Sequence, residues 1–319
     1  MDKLIIECAY EILLFLPPKE LLLCKQINYE FYNLCKLESL WRNQIAEMYT
    51  QVFNKSSYYE TSKLYHEIDK LGKKLHMSDS VENLYESTII TLHDMDIKKI
   101  PSNITLLTNL ISLNIEADRL GFIHSELDQI PTICNPQLQI APEICQLIKL
   151  QTINIRNYQL EEIPKEISQL TNLRNIRFIG AQLKTIPCEI GKLTNLRFLE
   201  LSGNKLEYLP KEISQLTNLS ILHLCHNNFT IFPEEILKLV NLRYLLFGSV
   251  WQTGKLKSIP SEIGKLTNLE CLWLDNHQLT QLPKEIIQLT NLRHLNLIGN
   301  QISEIPFELT QLNELIIEI

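Results

Sequence analysis

The sequence predicts an α/β chain made mainly of a stacked-repeat array, with a small all-α module ahead of it. Three observations carry this. Nine of the thirteen prolines share one context: Pro101, Pro142, Pro164, Pro187, Pro210, Pro233, Pro260, Pro283 and Pro306. From Pro142 onward their spacings are 22, 23, 23, 23, 27, 23 and 23 residues, and a fixed period of this length marks units that stack on their neighbours. Between the prolines, leucine and isoleucine return in a constant pattern. The first 87 of the 319 residues lack the period and carry apolar residues at helical spacing instead.

The N-terminal part predicts helices over roughly 20–34 and 40–52, and a third near 58–75, where Leu64, Ile68, Leu71 and Leu75 share one face. Pro17-Pro18 interrupts the chain, and a helix can start at Lys19-Glu20-Leu21-Leu22-Leu23. Leu4, Ile12, Leu13 and Leu16 form an apolar set before the prolines. So short a helical unit buries little alone, and its apolar face needs the end of the array or a partner.

The run Glu11-Ile12-Leu13-Leu14-Phe15-Leu16-Pro17-Pro18-Lys19-Glu20-Leu21-Leu22-Leu23 resembles the F-box. Ile27 takes the family's valine position, Phe31 its tryptophan, Leu34 follows in register, and Leu40-Trp41-Arg42 closes the motif. Leu4 and Glu7 fit its first positions, and Ile5 stands where the family has proline. The resemblance covers 2–48. It implies docking on a Skp1-like adaptor, and through it on a cullin, by Leu4, Ile12, Leu16, Pro17 and Leu21. Residues 49–87 then form a helical linker or N-terminal cap. The other reading of the whole segment is a helical cap over the first repeat, since terminal caps are required in such arrays.

One clean period runs from Leu199 to Leu219. Leu199 and Leu201 alternate, so a short strand sends both into the core. Asn204 and Leu206 carry a turn in which a buried amide can satisfy backbone groups left unpaired. Pro210 suits the first position of a short helical turn, and Glu212 follows where a helix N-terminus favours negative charge. Ile213 and Leu216 return to the core, and Asn218 is read as tolerating the tight backbone before the next strand. One unit cannot bury its apolar face, whereas stacked units can, each large aliphatic side chain contributing ~1.5–3 kcal/mol.

The pattern L-x-L-x-x-N-x-L-x-x-L-P-x-E-I-x-x-L-T-N-L resembles the 23-residue intracellular class of leucine-rich repeats, over 88–319. It implies about nine repeats in a solenoid with a curved parallel sheet and a concave face, with insertions near 121–138 and 250–254. The ladder Asn is kept at Asn204, Asn227 and Asn300, and replaced by Met95, Asp118, Tyr158, Ala181 and His277. The inserted loops, one carrying Trp251, read either as drift in a tolerant scaffold or as binding elements.

Side chains between the strand leucines face out of the concave sheet. They are Thr91, Asn114, Asn154, Arg177, Glu200, His223, Leu246, Trp273 and Asn296. With strands ~4.8 Å apart, Phe198, His223, Tyr244, Leu246 and Trp273 are expected to form one aromatic-rich patch, the composition of a protein-binding hot spot. Arg177 and Trp251 complete the candidate target-binding set. The simpler reading is that Phe198 and Tyr244 only cover their neighbours.

Composition excludes several classes. Nine glycines, about 3% against a typical ~7%, give neither G-x-G-x-x-G nor a P-loop, so no nucleotide cofactor is expected. The net charge is −7, with 10 Lys/Arg against 13 Asp/Glu in the first 87 residues and 20 against 24 in the rest. Neither part carries the basic footprint of a nucleic-acid binder. No run of 18 apolar residues predicts a membrane span. Glu7 and Glu11 spoil a signal segment, so secretion is not expected and the chain reads as cytoplasmic or nuclear in a eukaryotic cell. The eight cysteines are scattered without C-x-x-C and read as reduced, small hydrophobes. His223-Leu224-Cys225-His226 holds ligand-type residues but no second cluster to complete a metal site. No catalytic residues and no cofactors are expected.

Read together, the two modules resemble the substrate receptors of Skp1–cullin–F-box ubiquitin ligases. The resemblance implies that 2–48 docks the adaptor, the concave face captures an as yet unidentified target protein, and another subunit performs the chemistry by proximity. The alternative is a non-catalytic repeat scaffold that binds a signalling protein without ubiquitin transfer.

Overall fold

Each 23-residue period folds as one short parallel strand, a turn, and a five-residue 3-10 helical turn that leads into the next strand. This is a computed structural model, and it describes residues 58–77, 79–93, 98–117, 137–156, 159–160, 162–249, 254–312 and 314–319. The helices expected over 20–34 and 40–52, the adaptor-binding set Leu4, Ile12, Leu16, Pro17 and Leu21, and Trp251 lie outside the described residues.

The described chain divides into two units, 58–87 with Asn103–Asn109, and Thr88–Ser102 with Leu110–Ile319. In the first, α1 spans Tyr58–Lys74 and α2 spans Val81–Glu86. The helical spacing read from the sequence appears as buried Ile68 and Leu71, with Leu75 just past the last turn. Gly72 lets α2 approach, since a Cβ there would sit 3.2 Å from Leu84 Cδ2. Ser80 caps α2, its Oγ accepting from the Asn83 N–H at 3.2 Å.

In the second unit ten strands form one parallel sheet: β1 Ile89–His93, β2 Ser112–Glu116, β4 Thr152–Arg156, β6 Asn175–Ile179, β7 Phe198–Glu200, β8 Ile221–His223, β9 Tyr244–Leu246, β10 Cys271–Trp273, β11 His294–Asn296 and β12 Ile316–Glu318. β3 Gln137–Leu138 and β5 Gln159–Leu160 pair separately. The strands are short because each period needs only two inward leucines before the turn. In the Leu199–Leu219 period, Leu199, Leu201, Leu206, Leu209, Ile213, Leu216 and Leu219 are all buried.

Two asparagine ladders hold the coils together. In the inner one, Asn204 Oδ1 accepts from Leu183 N–H at 3.0 Å, and its Nδ2 donates to the carbonyls of Phe178 at 2.7 Å and Leu201 at 2.8 Å. Asn227 and Asn300 repeat the geometry with Leu206 and Leu279 as donors. The outer ladder corrects the sequence reading of Asn218. Its Nδ2 donates to Thr194 O in the preceding repeat at 2.8 Å, so the amide ties coils rather than relaxing a bend. Asn172, Asn195, Asn241, Asn268 and Asn291 do the same.

Two more local readings change. Pro210 precedes its 3-10 turn as an extended cap at φ −68° and ψ 144°, and the turn begins at Lys211. A fixed φ with an extended ψ delivers the chain to the helix without occupying its first position. The turn after the strand, read as carried by Asn204 and Leu206, also uses glycine. Gly180, Gly203 and Gly299 adopt φ of 62°, 70° and 72°, and His226 and Asn276 hold the same left-handed position in other repeats.

The ladder departures are filled with ring volume. Beside Ala181, the inward position of β6 carries the fully buried Phe178. In the repeat interrupted after 249, Phe247 stands where Leu201 and Leu224 stand in earlier coils, and it packs against Phe229 and Phe232 of the preceding period, with ring centroids 5.1 and 5.5 Å away. Met95, Asp118 and Tyr158 lie outside the described residues.

Candidate functional site

Parallel pairing without register slips puts every third-position side chain in one line. The register runs Thr91, Asn114, Asn154, Arg177, Glu200, His223, Leu246, Trp273, Asn296 and Glu318. A second line, two residues earlier in each strand, runs Ile89, Ser112, Thr152, Asn175, Phe198, Ile221, Tyr244, Cys271, His294 and Ile316. The inward leucines between them are buried, so both lines face the open side of the sheet.

The face has three zones. Over β1 to β6 it is mostly polar. Asn114 Nδ2 donates to Thr91 Oγ1 at 3.3 Å, Asn175 Nδ2 to Thr152 Oγ1 at 3.2 Å, and Asn154 Nδ2 to Glu116 Oε1 at 3.1 Å. At the middle, Arg177 Nε lies 3.3 Å from Glu200 Oε2, and His223 Nδ1 lies 3.7 Å from the other carboxylate oxygen. The Arg177 guanidinium also stacks 4.5 Å above the Phe198 ring, a cation–π contact. The Phe198 ring meets His223 edge-on at 5.3 Å.

Over β9 and β10 the face turns apolar and open. Tyr244 is 37% exposed and Trp273 40% exposed, with Leu246 half-buried between them. At the rim, Arg243 Nε donates to Glu270 Oε1 at 2.8 Å, and Tyr244 Oη donates to Glu270 Oε2 at 3.2 Å. The hydrogen bond from Arg243 holds the Glu270 carboxyl below its usual range, and the same contact pushes the Arg243 guanidinium up. This clamp fixes the Tyr244 ring in place, leaving a pre-ordered aromatic surface that loses little freedom on binding.

Of the predicted target-binding residues, Arg177, Phe198, His223, Tyr244, Leu246 and Trp273 come together on four neighbouring strands and β6 beside them. Phe198 and His223 are partly used up on each other, whereas Tyr244 and Trp273 offer free faces. The reading missed Arg243 and Glu270. They lie one residue before the strands, at a position the alternating leucine pattern does not single out. Among the described residues no His, Cys, Asp or Glu group is disposed to hold a metal ion. No described helix is long and apolar enough to cross a membrane.

Comparison with known proteins agrees with this geometry. Residues 183–278 match the model of a leucine-rich repeat region, and residues 291–312 that of a leucine rich repeat. A leucine-rich-repeat protein of Leptospira interrogans is 33% identical, with a TM-score of 0.54, over 77% of this chain and 68% of that one. The chain belongs to the leucine-rich-repeat family. A plant peptide hormone receptor, solved in complex with RGF2, is 30% identical with a TM-score of 0.57, over 72% of this chain and 35% of the receptor. The leucine-rich-repeat domain of the type III effector XopL shares the fold, with a TM-score of 0.61 over 96% of both chains at 20% identity. Among curated protein sequences nothing matches.

Proposed function

We propose that this chain is the substrate-recognition subunit of a Skp1–cullin–F-box type ubiquitin ligase, working in the cytoplasm of a eukaryotic cell, and not itself an enzyme. In this reading 2–48 docks a Skp1-like adaptor through Leu4, Ile12, Leu16, Pro17 and Leu21. The concave face binds the target by Arg177, Phe198, His223, Tyr244, Leu246 and Trp273, with Trp251 from the inserted loop. The observation that carries target binding is the exposed Tyr244–Trp273 surface, braced by the Arg243–Glu270 clamp. The F-box-like register from Glu11 to Trp41 supports the adaptor half.

A second reading, a scaffold that binds a signalling protein without ubiquitin transfer, is favoured by the likeness to a receptor solved with its peptide. One experiment separates them. The purified full chain should co-purify with Skp1, and Leu16→Asp or Leu21→Asp should abolish this. A wild-type chain that shows no heat of binding to Skp1 leaves the scaffold reading in its place.

A further inference from the structure

We infer that the partner of the concave face presents an acidic extended segment, with its carboxylates about four residues from a large apolar anchor. The inference rests on the reading of the concave face as the binding surface.

The observation is an uncompensated positive zone in an acidic chain. The residues that precede the strands are stacked by backbone hydrogen bonds in the order Gln151, Arg174, Arg197, Ser220, Arg243, Glu270 and Arg293. At one end of this line the charges cancel, Arg243 pairing with Glu270 and Arg293 lying 3.9 Å from Glu314. At the other end Arg174 and Arg197 sit on neighbouring coils, both exposed, and neither makes a side-chain hydrogen bond or ion pair among the described residues. Like charges side by side on adjacent strands repel. Among the described residues no carboxylate pairs with either, whereas an anion between them would engage both.

The neighbourhood strengthens the case. Across β2, β4, β6, β7 and β8, Arg156 and Arg177 on the face and Arg174 and Arg197 at its rim stand against two carboxylates, Glu116 beside Arg156 and Glu200 beside Arg177. This excess stands in a chain of net charge −7, so it is local and opposite in sign to the whole. Planar guanidiniums suit carboxylates, which they bind with two parallel N–H···O bonds.

Geometry sets the spacing. From the Arg174–Arg197 pair to the Tyr244–Trp273 surface is three strands, ~14 Å at the usual interstrand distance. An extended chain crossing the strands covers that with about four residues.

The test uses the full chain panned against phage-displayed random 12-residue peptides. Recovered binders should carry Asp or Glu about four residues from Trp, Phe, Leu or Met. For a synthetic copy of one binder, the Arg174→Glu/Arg197→Glu double variant should slow association about tenfold and flatten its salt dependence. The neutral Arg174→Gln/Arg197→Gln pair should give a smaller loss in the same direction. Both positions are exposed, so melting curves should stay unchanged. Binders without acidic enrichment, unchanged kinetics in the charge-reversed variant, or no binders at all overturn the proposal. Trp273→Ala distinguishes its failure from that of the concave-face reading. If Trp273→Ala weakens a binder that ignores the arginines, only the acidic partner is wrong. If Trp273→Ala also has no effect, the surface itself is wrong.

Discussion

His277 Nε2 lies 2.7 Å from the carbonyl oxygen of Phe247, where the inner ladder elsewhere places an asparagine amide. The carbonyl can only accept, so Nε2 carries the proton and Nδ1 is left bare. That Nδ1 is buried with no hydrogen-bond partner among the described residues. Gly254 packs directly over it, and a Cβ there would come within 2.0 Å of Nδ1.

This arrangement gives the fold a pH dependence. Burial pushes the His277 imidazole below its ordinary 6.5, more than the Phe247 carbonyl and Asp275 pull it up. The unfolded chain therefore takes the proton first. Stability from this site is complete above about pH 6.5 and is lost as the pH falls below that value toward the folded pKa. Thermal melts between pH 5 and 8 should show this fall, and His277→Asn should flatten it while restoring the amide geometry of Asn204. An equally steep profile in His277→Asn would place the titrating group elsewhere.

The inner ladder should be worth several hydrogen bonds per residue. Asn204→Ala strips partners from Leu183 N–H and from the Phe178 and Leu201 carbonyls, all in the interior. The expected loss is about 2–4 kcal/mol by urea unfolding. Asn218→Ala, at an exposed rung with one bond to Thr194 O, should lose about 1 kcal/mol or less.

At Gly191 two 3-10 turns approach each other closely. A Cβ there would sit 2.4 Å from Glu212 O, a backbone atom that cannot swing aside. Gly191→Ala should cost about 1–3 kcal/mol, read as a lowered melting temperature by circular dichroism. Ser214 occupies the same place one repeat on, in the turn Lys211–Gln215, and its change to alanine should be nearly neutral.

Thiol labelling should follow exposure. Burial pushes Cys145 and Cys225 up to about 12 and Cys271 to about 11. Cys188 is exposed, and its hydrogen bond to Glu189 also raises it. In native protein at pH 8, mass-spectrometric mapping with iodoacetamide should find Cys188 modified before these three. Equal rates for all four would mean that the repeats open readily.

The architecture of the repeat array follows from the order of its amino acids alone. A 23-residue proline and leucine period has one way to bury its apolar side chains, and that fixes strand order, register and which residues face outward. Trp273 and Tyr244 could therefore be assigned to one surface from counting alone, and the helix containing Ile68 and Leu71 from its spacing. The finer points depend on how the coils stack. Asn218 looked like a local bend residue, because its acceptor, Thr194 O, belongs to another coil and leaves no mark within its own repeat. The Arg243–Glu270 clamp, and the Arg174–Arg197 pair that has no carboxylate partner among the described residues, were hidden for the same reason. Their partners, or the lack of them, are set between coils 23 to 27 residues apart in sequence. Stacking brings such residues within a few ångströms, and charge pairing at that range depends on side-chain direction, which a repeat pattern does not encode.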